Sequence, residues 1–330
     1  MTQITIFGAG SIGCYLGGRA VEGGASVRFI GRDRYKAAVV ENGLSLSQFD
    51  DPATQLDGID FQTDMSALIG SDIIGLCVKS QDTEEAAKLI QQYAPTAWVI
   101  SFQNGVSNLP TLRDALPEAR ISGAVVPFNV TSPSPGHFHR GTTGDLIIGP
   151  DAPDALLAPF QRATVGVQVV DDIEGNLWAK LLVNLNNALN ALSGGPLRDG
   201  LMQRGYRRVL VRMIKEGLTV ADAESVRVAT FNGRHPDALL KIMSKPDWLY
   251  RTIMDRVAKV DRTARSSMLD DLEMGRASEL DYLQGEIVRR AERLGLDVPV
   301  TRAVMTATEA AFAQKSSPRM SGNAMVQRFL

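Results

Sequence analysis

A lysine stands inside one of the most apolar stretches of the chain: Leu177-Trp178-Ala179-Lys180-Leu181-Leu182-Val183-Asn184-Leu185-Asn186-Asn187-Ala188-Leu189. At helical spacing Lys180, Asn184 and Asn187 fall at i, i+4 and i+7, on one face of a helix that is otherwise greasy. An ammonium taken out of water without a partner is costly, or its pKa moves by as much as ~3–5 units. A polar stripe on such a helix points to a ligand or reaction site. Two readings are open on these residues alone. The stripe lines a cleft, or Lys180 snorkels to water while the asparagines bond neighbouring backbone. Three aligned polar groups favour the cleft.

A second chemical feature opens the chain. Ile4-Thr5-Ile6-Phe7 runs into Gly8-Ala9-Gly10-Ser11-Ile12-Gly13, an apolar strand followed by a glycine turn and a helix start. In this order Gly8 permits the tight turn, Gly10 lets a pyrophosphate approach the backbone, and Gly13 lets helix and strand pack closely. The N–H groups of the first helical turn, at Ser11, Ile12 and Gly13, would face the anion. The next strand, Ser26 to Ile30, ends in Gly31-Arg32-Asp33-Arg34. Where an NAD site carries an acid for the ribose 2′-hydroxyl, this chain has Arg32, with Arg34 close by. A guanidinium suits a 2′-phosphate, so the expected cofactor is NADPH. Asp33 is left either to an NAD ribose or to capping the next helix.

Two more groups lie where a doubly wound sheet binds ligands, at the carboxyl ends of strands. Lys79-Ser80-Gln81 follows the apolar run Asp72–Val78, and Gln103-Asn104-Gly105 follows Trp98–Phe102. A solvated Lys79 and a plain turn at Asn104-Gly105 are the alternatives. In the second half, Ser266-Ser267 precede Met268-Leu269-Asp270-Asp271, and Ser278-Glu279-Leu280-Asp281 opens a helix. Ser278 reads as its cap with Asp281 three residues on, leaving Glu279 available for other work.

These residues need elements to hold them. Up to about Asp171 short apolar runs alternate with helical patterns: a helix from Ser11 to Val21, another from Thr83 to Tyr93, a third from Leu109 to Leu116. Arg120–Val130, His137–Arg140, Asp145–Ile148 and Val167–Val170 read as later strands, with a turn at Pro133–Gly136. From Asp172 the 3.6-residue period takes over in Ile173–Leu192, Met202–Ala223, Pro236–Met243, Trp248–Val260, Ser278–Leu294 and Pro299–Phe312. The expected fold is therefore α/β: a Rossmann-type doubly wound sheet over residues 1–171 and an all-helical domain over 172–330. The polar tail from Lys315 reads as loosely held.

Bulk properties exclude several classes. With 330 residues and a formal net charge of −2, the chain has no electrostatic case for nucleic acid or an anionic membrane. No apolar stretch reaches the ~18 residues of a span and no leader precedes the first strand, so a cytoplasmic location is expected. Two separated cysteines and three histidines argue against a disulfide framework and against zinc, and no metal is expected. His137 and His139 read as exposed strand residues pointing to one side. The apolar helices of the second domain are the candidate surface of a homodimer, or simply that domain's core.

Taken together, GAGSIG with Arg32, VKS at Val78–Ser80, QNG at Gln103–Gly105, WAKLLVN at Trp178–Asn184 and SSMLDDLEMGRASELDYLQG at Ser266–Gly285 resemble the ketopantoate reductase (2-dehydropantoate 2-reductase) family. The resemblance runs in matching order over nearly the whole chain. It implies a helical domain like the C-terminal domain of 6-phosphogluconate dehydrogenase, and NADPH-dependent reduction of ketopantoate to pantoate on the route to coenzyme A. It implies that Lys180 is the catalytic lysine and Glu279 its essential acidic partner, holding either the lysine or the substrate. Asn104, Asn184 and Ser267 would contact substrate, while Lys79 and Asn104 would lie near the nicotinamide and its ribose.

Two departures touch the substrate pocket. Where many members carry a second Asn eight residues after the lysine this chain has Ala188, with Asn187 as the replacement, and Asp82 stands where a Gln is common. They leave open a family member acting on a different bulky 2-oxo acid. A non-catalytic NADPH-sensing module and an opine-type dehydrogenase are the remaining alternatives. The segment Met243–Thr263, with Trp248 and Tyr250, is longer than in the shortest members and reads as an added covering helix.

Overall fold

The computed structural model describes residues 2–230, 235–257 and 264–330. The chain divides into two compact units, Met1–Ile173 and Glu174–Leu330.

In the first unit the strands are β1 (Gln3–Phe7), β2 (Ser26–Ile30), β3 (Leu44–Gln48), β4 (Thr54–Leu56), β5 (Asp60–Gln62), β6 (Ile73–Leu76), β7 (Trp98–Ser101), β8 (Arg120–Val125), β9 (Val130–Ser134), β10 (His137–Arg140), β11 (Leu146–Ile148) and β12 (Val167–Val169). The helices are α1 (Ser11–Glu22), α2 (Asp33–Asn42), α3 (Thr83–Tyr93), α4 (Asn108–Ala115) and α5 (Asp154–Arg162). Among the described residues the main sheet has eight strands in the order β12-β11-β8-β7-β6-β1-β2-β5. It is parallel except where β11 runs against β8. Its central strands are apolar throughout because both faces are covered. Tyr15, Leu16, Phe29 and Phe160 pack on one face, and Ile74, Leu76, Ala87, Ile90, Val99 and Leu112 on the other.

A smaller sheet, β4-β3-β10-β9, was not foreseen. The single strand expected over Arg120–Val130 is in fact two: β8 stops at Val125, and β9 starts at Val130 in the other sheet. Pro127 stands in the gap, where a residue without an N–H cannot continue a ladder. His137 and His139 do share a side of β10, but they are half-buried rather than exposed. Both ring nitrogens reach Ser47 Oγ, at 2.7 and 2.8 Å.

The second unit contains α6 (Ile173–Asn184), α7 (Asn186–Ser193), α8 (Leu197–Leu201), α9 (Arg204–Ala223), α10 (Pro236–Met243), α11 (Asp247–Val257), α12 (Ser267–Glu273), α13 (Leu280–Leu294), α14 (Pro299–Ala313) and α15 (Gly322–Phe329). The helix expected over Ile173–Leu192 is interrupted at Leu185. The tail is not loose: α15 buries Met325 and Phe329, four residues apart, and Gly322 N–H donates to Gln203 Oε1 at 2.7 Å. Ser278 does not hold the cap position of α13. Glu279 does, and the Ser278 hydroxyl accepts only a 3.4 Å bond from Leu280 N–H. Fully buried Arg207 donates to the carbonyls of Leu201, Met243 and Lys245 and to Asp247, with Tyr250 4.1 Å beneath its guanidinium. The start of the added segment is thus pinned to α9. The remainder of that expectation, residues 258–263, lies outside the described residues.

Candidate active site

The glycine turn has the geometry of a phosphate cradle. The N–H groups of Gly8 and Ala9 both donate to the Ile30 carbonyl, at 3.0 and 2.9 Å, so the turn is tied to the end of β2. Gly8 sits at φ +98°, and a Cβ there would lie 2.4 Å from the Val78 backbone nitrogen. A Cβ on Gly10 would instead meet open space, with nothing nearer than 4.0 Å. A Cβ on Gly13 would press 2.7 Å from the Gly8 carbonyl oxygen. Cys14 N–H donates to Gly10 at 2.8 Å, which leaves the N–H groups of the first turn of α1, Ser11 to Gly13, ahead of the helical ladder. Backbone donors, an open approach and a positive helix end fit a dinucleotide pyrophosphate.

Arg32 occupies the cap position of α2, directly after β2, with its side chain exposed. Asp33 is the first helical residue and does not cap α2. Arg34, also exposed, lies with its guanidinium 4.9 Å from the centre of the Tyr35 ring. Two exposed cations therefore flank the end of β2, where a 2′-phosphate would be held.

At the ends of β6 and β7 a buried polar network sets the loops carrying Lys79 and Asn104. The Asn104 carbonyl accepts from Ser80 Oγ at 2.9 Å and from Asn108 Nδ2 at 2.7 Å. Asn108 Oδ1 accepts from Thr83 Oγ1 at 2.8 Å, and Gln103 Nε2 donates to Thr83 Oγ1 and to the Val78 carbonyl at 2.8 and 3.1 Å. Lys79 and Asn104 are half-buried beside this network. Thr83 and Asn108 are thus supports of the site that the sequence reading did not single out, and Ser80 and Gln103, read there only as members of the strand-end groups, join them. The two cysteines take no comparable part: burial pushes the Cys77 thiol up to about 12 and raises that of Cys14, so neither is a thiolate at neutral pH.

In the helical unit Lys180 lies one turn before the end of α6, half-buried between Ala179 and Leu181. Burial pulls its pKa down to about 8. Among the described residues no carboxylate lies within ion-pair distance, and desolvation is the cause of the shift. Trp178, fully buried beside it, carries the Arg290 guanidinium 5.3 Å from its ring, and Arg290 pairs with Glu224 and Glu286. Asn184, 7% exposed, closes α6, and half-buried Asn187 stands in the first turn of α7.

Two tethers bring the other residues to this junction. Gln284 of α13, fully buried, donates to the Leu185 carbonyl at 2.9 Å. That anchors α13 to the break between α6 and α7, about 7.5 Å along the axis from Glu279 at its start. Ser266 N–H donates to Asn190 Oδ1 at 2.9 Å, and its hydroxyl bonds the Asn187 carbonyl at 3.3 Å. Ser266 also caps α12 through Leu269 N–H, so the next residue, exposed Ser267, is held at the start of α12 close to α7. Glu279 itself is half-buried.

Residues 4–153 match the model described as ketopantoate reductase PanE/ApbA, and residues 172–311 match that family's C-terminal model. The chain belongs to the ketopantoate reductase family. As a member it is a nicotinamide-dependent oxidoreductase. Among its relatives is the 2-dehydropantoate 2-reductase of Halobacterium salinarum, 29% identical over 92% of this chain and 96% of the relative. A PanE/ApbA family ketopantoate reductase structure from Ralstonia eutropha superposes with TM-score 0.81 at 33% identity, covering 95% of this chain and 99% of that one. A D-mandelate dehydrogenase in complex with NADH and anilino(oxo)acetate shares the fold, with TM-score 0.76 at 17% identity over 95% of this chain and 99% of that one. No described helix of this ketopantoate reductase family member is long and apolar enough to cross a membrane.

Proposed function

We propose that this protein reduces ketopantoate to pantoate with NADPH. The observation that carries the reading is Lys180, an ammonium drawn into an apolar helix, with a pKa brought down to about 8 by burial. A pKa close to the working pH is what a general acid needs. When bound, the reduced nicotinamide supplies the hydride. Lys180 Nζ donates a hydrogen bond to the substrate's C2 carbonyl oxygen, stabilises the negative charge that builds there, and gives up its proton. Asn184 and Asn187 orient the ketone and the hydroxyl, and Ser267 takes the carboxylate. The Glu279 carboxylate holds and orients Lys180 or the substrate by accepting a charge-assisted hydrogen bond. Lys79 and Asn104 hold the nicotinamide end of the cofactor, and Gly8, Gly10, Ser11, Ile12 and Gly13 hold its pyrophosphate.

The substrate is chosen on the side of the named relatives; Ala188 and Asp82 are the residues that keep a different bulky 2-oxo acid as the rival. NADPH oxidation measured with ketopantoate, 2-oxoisovalerate and phenylglyoxylate separates the two. The expected result is the highest kcat/KM for ketopantoate, and a preference for an aromatic 2-oxo acid would reassign the substrate.

Cofactor choice is tested by Arg32→Ala. Losing a guanidinium from a phosphate contact should raise KM for NADPH by about 10–100-fold, the scale of a charge-assisted hydrogen bond, with KM for NADH little changed. Equal losses with both cofactors would show that Arg32 does not read the 2′-phosphate.

A further inference from the structure

We propose that Tyr35 is a further cofactor-binding residue, whose hydroxyl donates a hydrogen bond to the pyrophosphate received by the glycine turn. The proposal rests on the cofactor reading above and adds a side-chain donor to a cradle so far made of backbone. Tyr35 stands in the first turn of α2, and its Oη lies 4.0 Å from the position a Cβ on Gly10 would take. Apart from Gly10's own chain neighbours, the atoms that close on the open space over Gly10 are this hydroxyl and the Gly8 carbonyl oxygen. Gly10 is where the fingerprint requires a phosphate to approach the backbone. The hydroxyl therefore borders the space the anion would enter, and unlike the carbonyl oxygen it can donate there.

The ring is braced for this task. It is half-buried, with the Phe138 ring centre 6.2 Å away and the Arg34 guanidinium 4.9 Å from its own centre. A phenylalanine would pack on Phe138 equally well, so the hydroxyl can be removed without disturbing the ring. An anionic acceptor over Gly10 would engage that hydroxyl, and the Arg34 cation beside the ring adds favourable charge. The 2′-phosphate belongs instead beside Arg32 at the end of β2. That separation gives the two contacts different signatures, since the pyrophosphate is common to NADPH and NADH.

The test is Tyr35→Phe, read by equilibrium titration of the purified full chain with NADPH and with NADH, without turnover. Affinity for both cofactors should fall about tenfold, the scale of one hydrogen bond to a charged group, with Tm unchanged. Unchanged affinity would overturn the proposal. A loss confined to NADPH would place the hydroxyl on the 2′-phosphate and overturn it as stated, and a lowered Tm would mark Tyr35 as a packing residue. If the unaltered protein bound neither nucleotide, the cofactor reading itself would fall, a result distinct from each of these.

Discussion

Lys180→Ala should lower kcat for 2-oxo acid reduction at least ~10²-fold, the contribution of a positioned general acid. That loss corresponds to about 2.7 kcal/mol of transition-state stabilisation. Cofactor affinity should stay close to the unaltered value, because Lys180 belongs to the helical unit and the phosphate cradle to the other. The pH profile supplies an independent readout. Lys180 has a pKa lowered to about 8 by burial, and the proposed role of acid requires its protonated form. The reductive kcat/KM should therefore be flat at low pH and fall as pH rises through about 8. Oxidation of the 2-hydroxy acid needs the neutral amine as base and should rise across the same interval. Lys180→Arg keeps a positive charge but titrates far higher, so the limb near 8 should vanish while turnover stays low. Near-normal turnover in the alanine variant, or an unchanged limb in the arginine variant, would remove Lys180 from the role of acid.

Much of this site is legible locally. The glycine turn, Arg32 at the end of β2 and the lysine on its apolar helix announce themselves because each depends on a few neighbouring residues. What escapes is carried by contacts distant in sequence. Gln284 is an ordinary polar residue of an amphipathic helix until its amide meets the Leu185 carbonyl. That bond sits where the expected single helix divides, and the division puts Asn187 on a different helix from Lys180 and Asn184. The polar network of Ser80, Thr83, Gln103 and Asn108 escapes for the same reason, since it exists only once two strand ends lie side by side. The small sheet depends on pairing β10 with β3, His137 against Ser45, and its short polar strands carry little periodic signal. Ser266 and Ser267 differ by one position and have separate jobs. The bonds of Ser266 to Asn190, Asn187 and Leu269 show which of them is committed to structure.

The two glycines of the turn should respond to the same added methyl group in opposite ways. Gly10 has φ −91° and ψ −160°, extended backbone that any residue adopts, and its Cβ site is open to 4.0 Å. Gly10→Ala should therefore fold with an unchanged Tm. Its methyl group would nevertheless stand where the pyrophosphate approaches the backbone, and affinity for NADPH should fall by at least about 100-fold, as contacts to a charged group are lost together. Gly8→Ala meets a different obstacle. Its φ of +98° is strained for alanine, and its Cβ would lie 2.4 Å from the Val78 nitrogen and 2.6 Å from the Cys77 carbonyl carbon. Neither backbone atom can yield as the end of a flexible side chain would, so the cost should be about 3 kcal/mol or more. For a domain of this size that lowers Tm by roughly 6–12 °C. Relief of the overlap would displace Val78 and with it Lys79, so cofactor affinity should fall as well. Thermal melts beside NADPH titrations separate the two variants. A Gly10→Ala protein that binds NADPH normally would mean that no phosphate approaches this turn, and with that the dinucleotide site would lose its physical basis.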